Sequence, residues 1–196
     1  MKMILLLILS VIIVLVLTFF ISLKADLKNK SILYAMHQIR LVDVNYKTMV
    51  ISASAEIKSS PQQAWLCIIK ANEWKQWQYP LVQSVRMHQT NIGFAGASFE
   101  QLLKPGFPLG DIVSRERVAE AEPGKLLSWW KDENGIRSCH VWMIDSLGTN
   151  RIKIYNTEVF HGNGIALIKL FVFKRWNNLF QQSVNALKNE LERCNE

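Results

Sequence analysis

Three cysteines, Cys67, Cys139 and Cys194, and four histidines, His37, His88, His140 and His161, are the side chains best suited to ligate a metal or attack a substrate. Zinc needs such ligands grouped in space. The cysteines are scattered, and Cys139 and His140 are neighbours on what reads as a strand, so they point to opposite faces. No metal is expected. Gly162-Asn163-Gly164 precedes a helical pattern and hints at phosphate binding, but Leu167 stands where a dinucleotide loop needs its third glycine. No Lys-Ser or Lys-Thr follows either, so a phosphate loop fails, and the segment reads as a break before a helix. No Gly-x-Ser-x-Gly is present to set up a nucleophile. No cofactor is expected.

What remains is acid–base chemistry and apolar contact. His140 shares a strand face with Trp142 and Ile144, where it can meet a ligand or simply be hydrogen-bonded in place. Glu100 and Glu158 could move protons if buried, and Arg137 could steady an oxyanion. The aromatic set is larger: Phe99, Trp129, Trp142, Tyr155, Phe171 and Phe173 all fall on predicted strands or on the last helix. Such rings can line an apolar cavity or only fill a core. Phe107 and Leu109 sit in a Pro/Gly loop, where an apolar side chain has little packing reason to be, and read as a cavity lip or a lipid contact. The candidate ligand-binding set is Phe99, Phe107, Trp129, His140, Trp142, Tyr155 and Phe171.

These residues need elements to position them. Met49, Ile51, Ala53, Ala55 and Ile57 alternate with polar residues, the pattern of a half-buried strand. Ser60-Pro61-Gln62-Gln63 then opens a helix over 61–70, with Ser60 as N-cap, Pro61 in the first turn and Gln63 completing a capping box. Asn72 is expected to cap a second short helix through Trp77, closed by Tyr79-Pro80. Six strands follow, over 82–89, 97–103, 111–119, 126–131, 137–145 and 151–160, separated by turns at Gly93–Gly96, 104–110, Glu122-Pro123-Gly124, Asn134-Gly135 and Gly148-Thr149-Asn150. From Ile165 to Cys194 there is no Pro or Gly. Ile165, Ile168, Val172, Trp176, Leu179, Phe180, Leu187 and Leu191 recur at helical spacing. An antiparallel sheet with one apolar face must be covered, and only this helix is long enough to do it. The expected class is therefore α+β, a curved antiparallel sheet wrapped around a long C-terminal helix.

The first residues belong to a different solvent. Met3 to Leu23 is a run of 21 uncharged residues interrupted only by Ser10, Thr18 and Ser22. As a helix it spans about 31 Å, the thickness of a bilayer core. A cleaved secretory signal is the alternative, but Leu23-Lys24-Ala25 is a poor cleavage site. The expected organisation is a transmembrane anchor over 3–23, a stalk over 24–46 and a folded domain over 47–194. Lys24, Lys28, Lys30 and Arg40 follow the run, which by the positive-inside rule places the domain in the cytoplasm; three unpaired cysteines suit a reducing compartment. The net charge of +7 is spread as a solvated surface without the basic stripe that nucleic-acid binding requires.

Within 50–191 the order of elements, and the stretches "ISASAEIKSSPQQAWLCI", "EWKQWQYPLVQSV" and "VAEAEPGKLLSWW", resemble the helix-grip fold of the START-like superfamily, in particular its polyketide cyclase/dehydrase and lipid-transport group. That resemblance implies a hydrophobic cavity between sheet and helix, open to a lipid or polyketide-like ligand. It supplies no fixed catalytic set. An N-terminal anchor is similar to what bacterial relatives carry, which implies single-pass attachment to the inner membrane. The expected function is a membrane-tethered binding protein for such a ligand, with the membrane as its other partner. A cyclase or dehydratase acting on that ligand, and an assembly protein with a filled interior, are the alternatives. The polarity of the cavity separates them: two convergent titratable groups favour the enzyme, an unbroken apolar wall the carrier.

Overall fold

A computed structural model describes residues 9–17, 47–78, 81–106, 110–133, 136–162 and 165–193, with the side chains of 132 and 133 excepted. Seven strands form one antiparallel sheet: β1 (Thr48–Ile57), β2 (Val82–Met87), β3 (Ser98–Gly106), β4 (Gly110–Glu122), β5 (Leu126–Glu133), β6 (Ile136–Gly148) and β7 (Arg151–Gly162). Their spatial order is β1-β7-β6-β5-β4-β3-β2. Consecutive strands from β2 to β7 pair as a meander, and β1 returns to pair with β7 from Thr48↔His161 to Ile57↔Ile152.

Between β1 and β2 lie α1 (Pro61–Ile69), a single 3-10 turn (Ala71–Glu73) and α2 (Trp74–Trp77). α1 starts where its capping box predicts: Ser60 Oγ accepts from Gln63 N at 3.2 Å, and Gln63 Oε1 accepts from Ser60 N at 3.0 Å. Such a cap contributes about 1 kcal/mol. The second helix differs from expectation. Asn72 does not cap it; the chain turns through the 3-10 segment first, and no side chain caps α2. Trp74 holds that turn instead, its indole N–H donating to Ile68 O at 2.9 Å.

The long helix α3 (Ile165–Arg193) has 29 residues and is about 44 Å long. It lies across the concave sheet face. Its buried stripe is Ile165, Val172, Trp176, Phe180, Val184, Leu187 and Leu191, in contact with the inward rows of β1 (Met49, Ile51, Ala53, Ile57) and β7 (Ile152, Ile154). The convex face carries a second, smaller apolar cluster: Val50, Leu126, Cys139, Val141 and Val159. The extra apolar residue Val50, which breaks the alternation of β1, belongs there.

The loop expected over 104–110 is shorter, because β3 runs on through Lys104-Pro105-Gly106 and Gly106 pairs with Gly110. Phe107 and Leu109 lie outside the described residues. So do most of the expected anchor and all of the expected stalk. Residues 9–17 of the apolar run are helical and exposed, and among the described residues no helix is long and apolar enough to cross a membrane.

Candidate functional site

Strand alternation decides which side chains meet α3. On β3 the inward row is Phe99, Gln101 and Leu103. On β4 it is Ile112, Ser114, Glu116 and Val118; on β5 it is Leu127, Trp129 and Lys131; on β6 it is Ser138, His140, Trp142 and Ile144; on β7 it is Ile154, Asn156, Glu158 and Phe160. A polar band therefore runs across the middle of an otherwise apolar surface.

Its first half is a tight cluster. Ser114 Oγ donates to Glu116 Oε1 at 2.5 Å, Gln101 Nε2 donates to the same oxygen at 3.5 Å, and Lys131 Nζ donates to Ser114 Oγ. Lys131 Nζ stands 3.8 Å from Glu116 Oε1. Burial pushes the Glu116 carboxyl above its ordinary value; Lys131 and the Ser114 hydroxyl pull the other way, and the charge of Glu158 adds to the rise. The other half is His140 and Glu158, directly paired across β6 and β7, with Nδ1 and Oε2 3.7 Å apart. The imidazole is stacked on Trp129, centroids 4.4 Å apart, and leans on Phe180 at 5.2 Å.

This band forms part of the wall of a hollow between sheet and helix. An inner chamber of about 100 Å³ is bounded by Gln101, Glu116, Trp129, His140, Trp142 and Phe180, among others. An outer chamber of about 270 Å³ is bounded by Met49, Val113, Ile136, Ile165, Ile168 and Val172. Ile112, Lys131, Phe160 and Trp176 border both, so the chambers adjoin. Three buried polar atoms on this wall have no hydrogen-bond partner: Glu116 Oε2, His140 Nε2 and Trp176 Nε1.

Of the residues singled out from sequence, Trp129, His140 and Trp142 border the inner chamber. Phe99 stands behind it, edge-on to Trp129 with centroids 5.4 Å apart. Tyr155 is on the other face of the sheet, under Lys153 Nζ at 5.1 Å, because it alternates with the inward Ile154 and Asn156. Phe171 is on the outer side of α3 and 63% exposed, since the inward stripe passes through Ile168 and Val172 instead. Phe107 lies outside the described residues. Glu158 is buried in the hollow, whereas Glu100 is on the surface with Arg115, 3.1 Å away. Gln101, Ser114, Glu116 and Lys131 went unnoticed in the sequence. Their signal was phase: Ser114 and Glu116 alternate with Arg115 and Arg117 but stay in step with Ile112 and Val118. Among the described residues no cluster of His, Cys, Asp and Glu could hold a metal. Cys139 faces the convex side, and burial, reinforced by the nearby carboxylates, pushes its thiol up to about 12.

No family model matches the sequence, and no curated protein matches it. Solved structures do match. A norcoclaurine synthase point mutant from Thalictrum flavum superposes with a TM-score of 0.60 at 12% identity, covering 76% of this chain and 97% of that one. The ZhuI aromatase/cyclase from Streptomyces sp. R1128 gives 0.58 at 12%, covering 76% and 96%. A START superfamily protein from Mycobacterium smegmatis gives 0.58 at 11%, covering 74% and 98%. The fold is the START-type helix grip. At these identities the likeness concerns the fold, and the site must be argued from its own residues.

Proposed function

We propose that the helix-grip domain binds a compact amphipathic molecule, with its apolar body in the outer chamber and its polar end at the band of Gln101, Glu116, Lys131 and His140. The observation that carries this reading is the set of three unpartnered buried polar atoms on one cavity wall. Buried polar groups are almost always satisfied, and a ligand that supplies the missing partners accounts for all three. The chambers together are at the small end of ligand pockets, which run about 300–1,000 Å³. A flat ring system with one polar group fits them better than a two-chained lipid. Gln101 Nε2, Lys131 Nζ and a Glu116 carboxyl whose hold on a proton is strengthened by burial put donors on the band, which favours an acceptor such as a carbonyl or an acidic oxygen at the ligand's polar end. Neighbours named as an aromatase/cyclase and a START superfamily protein support a hydrophobic ligand.

The run over 3–23 is read as a tether, holding the domain at the bacterial inner membrane on the cytoplasmic side. A tether confines the domain to a thin shell of volume and raises its effective concentration at the bilayer.

Acid–base catalysis on the bound molecule is the second reading. It is favoured by the Glu116 carboxyl, whose hold on a proton is strengthened by burial, and an imidazole nitrogen, His140 Nε2, on the same wall. The test uses the full chain in mild detergent, with native mass spectrometry for co-purifying small molecules and titration with 1-anilinonaphthalene-8-sulfonate. Saturable binding that Glu116→Gln with Lys131→Met weakens about tenfold or more is expected, since the charge-assisted contact of Lys131 and the carboxyl donor of Glu116 are both lost. No bound molecule and no saturable binding would overturn the reading. Should a recovered molecule be converted on incubation, His140→Ala abolishing conversion while sparing affinity assigns catalysis.

A further inference from the structure

The antiparallel register gathers one end of the molecule. β1 begins at Thr48 opposite His161, and β7 ends at Gly162 opposite Ile136, where β6 begins. β5 ends at Glu133 beside Ile136, and β3 ends at Gly106 opposite Gly110, the start of β4. α3 starts here too. The outer chamber is at this end, since Met49, Val113, Ile136 and Ile165 all border it. The chain arriving from the apolar run also enters here: Lys47 O accepts from Gly162 N at 2.9 Å.

The outer side of α3 at this end is unusual. Among the described residues of the domain, Phe171 and Leu167 are the most exposed large apolar side chains, at 63% and 60%. They lie one turn apart on one stripe. Lys174 and Arg175 continue that stripe, both exposed. Arg175 is pinned, its guanidinium donating to Pro105 O and lying against Gly106. On the sheet side, Val113 at the start of β4 is 52% exposed. Lys47 and Arg137 stand close enough to His161 for both charges to depress its pKa, after burial. Asp111 pairs with Lys104 at 3.8 Å, and Asp132 and Glu133 close β5. Lys47, Lys104, Arg137, Lys174 and Arg175 outnumber these acids five to three, and no acid lies on the helical stripe.

We propose that this end of the domain docks on an anionic bilayer surface, with Leu167 and Phe171 set among the headgroups, the basic residues against lipid phosphates and the outer chamber facing the lipid. Exposed apolar side chains flanked by Lys and Arg are the composition that interfacial binding uses, and each basic residue adds attraction to an anionic leaflet. The entry point of the chain supports the orientation. At most 23 residues, 24–46, separate the end of the apolar run from Lys47, so this end is never more than about 80 Å from where that run stops. The proposal shares the tether and the cavity with the reading above. It adds that a molecule dissolved in the bilayer enters or leaves through the docked mouth.

Hydrogen exchange on the full chain tests it, in nanodiscs of phosphatidylcholine alone and of phosphatidylcholine with phosphatidylglycerol. Slowing over 165–175 by about tenfold or more in the anionic discs is expected, removed by salt and by Leu167→Ser with Phe171→Ser. Equal exchange in both discs, or slowing on another face, overturns the proposal. Slowing in detergent that grows with protein concentration assigns the stripe to a second copy and also overturns it. Binding of 1-anilinonaphthalene-8-sulfonate in detergent is expected to survive the double variant. Loss of probe and protection together makes the stripe part of the cavity wall and counts against docking. Protection in a protein that takes up no probe would end the cavity reading and keep this one.

Discussion

The two ends of the hollow are built from the same sheet face by different means. Under α2, Trp74, Phe99 and Trp129 meet at centroid distances of 5.4–5.6 Å, and Trp77 closes on Trp142 at 6.3 Å. These rings leave only the inner chamber of about 100 Å³ beside them. At the other end, mostly aliphatic residues from β1, β4, β6 and the start of α3, with Lys131, Phe160 and Trp176, border about 270 Å³ without filling it. Large rings bury the most surface per residue and interlock edge to face, so one end can hold the fold together alone. That leaves the other end free of the requirement to pack. The polar band lies at the seam between the two, in reach of solvent from neither face of the sheet and of a ligand from one side.

The largest expected effect tests whether the packed end does hold the fold. Trp74→Ala should cost about 3–5 kcal/mol, because Trp74 is 1% exposed, touches two rings and ties α2 to Ile68. Ile168→Ala, at the open end, should cost under about 2 kcal/mol, since its side chain already borders empty space. Denaturant unfolding of both variants gives the comparison directly. Similar losses at the two ends would mean that the open chamber is as structural as the packed one.

A filling variant sharpens the same contrast. Ile112 stands between the chambers. Ile112→Trp should change stability by no more than about 1 kcal/mol, where overpacking a close-packed core costs about 1–3. Affinity for 1-anilinonaphthalene-8-sulfonate should nevertheless fall by about tenfold or more, because the path between chambers is blocked. A steep loss of stability, with affinity kept, would show that the chamber collapses in solution and that the probe binds elsewhere.

How much of this could be read from the chain alone follows the same division. The packed end was legible because its determinants are local: a capping box at Ser60–Gln63, alternation in β1, and a helical stripe without Pro or Gly from Ile165 onward. Some strands run past the ends expected for them, as at Pro105-Gly106 and Glu120–Glu122, because cross-strand pairing extends a strand past the point where its own side chains argue for it, whereas β2 stops at Met87, short of the expected Gln89. The band was legible only in part. His140 was visible as a titratable residue between aromatics. Glu116 and Lys131 looked like surface charges, because sheet carboxylates and lysines usually face water. Phe171 was misplaced for a related reason: on a helix segment apolar almost all round, spacing alone does not say which side faces the sheet. Tyr155 is a plain case of period two, and Ile154 and Asn156 bracket it onto the far face.

Proton binding by the band offers a third, smaller effect. The Glu116 carboxyl titrates above its ordinary 4.5 in the fold. Between 4.5 and that higher value the folded protein holds a proton that the unfolded chain has released, so stability falls as pH rises through this window. Glu116→Gln should flatten that part of the curve while leaving the packed end unaffected. If the slope persists in the variant, Glu116 is not the group that holds the proton. A saturating acceptor ligand should steepen the wild-type slope, since it recruits the proton that Glu116 keeps.

The smallest expected effect concerns the open end and its charge. His161 accepts or donates a 3.3 Å hydrogen bond with Thr48 Oγ1. Burial first, then Lys47 and Arg137, hold its pKa below the ordinary 6.5. Below 6.5 the unfolded chain takes up a proton that the folded one refuses, so this residue's contribution is present at higher pH and lost as pH falls through its depressed value. Arg137→Gln should raise the His161 midpoint, measured from its imidazole carbon-bound proton by NMR, by less than the whole depression, because burial is the larger cause. Transfer of the protein from detergent to anionic nanodiscs should raise it in the same direction, since lipid phosphates against Lys47 and Arg137 offset the two charges that repel the histidine's proton. The same transfer into phosphatidylcholine discs should leave it where it was. A midpoint that ignores the lipid charge would mean that Lys47 and Arg137 face solvent at every stage, and the contrast between a packed end and a membrane-facing one would lose its second half.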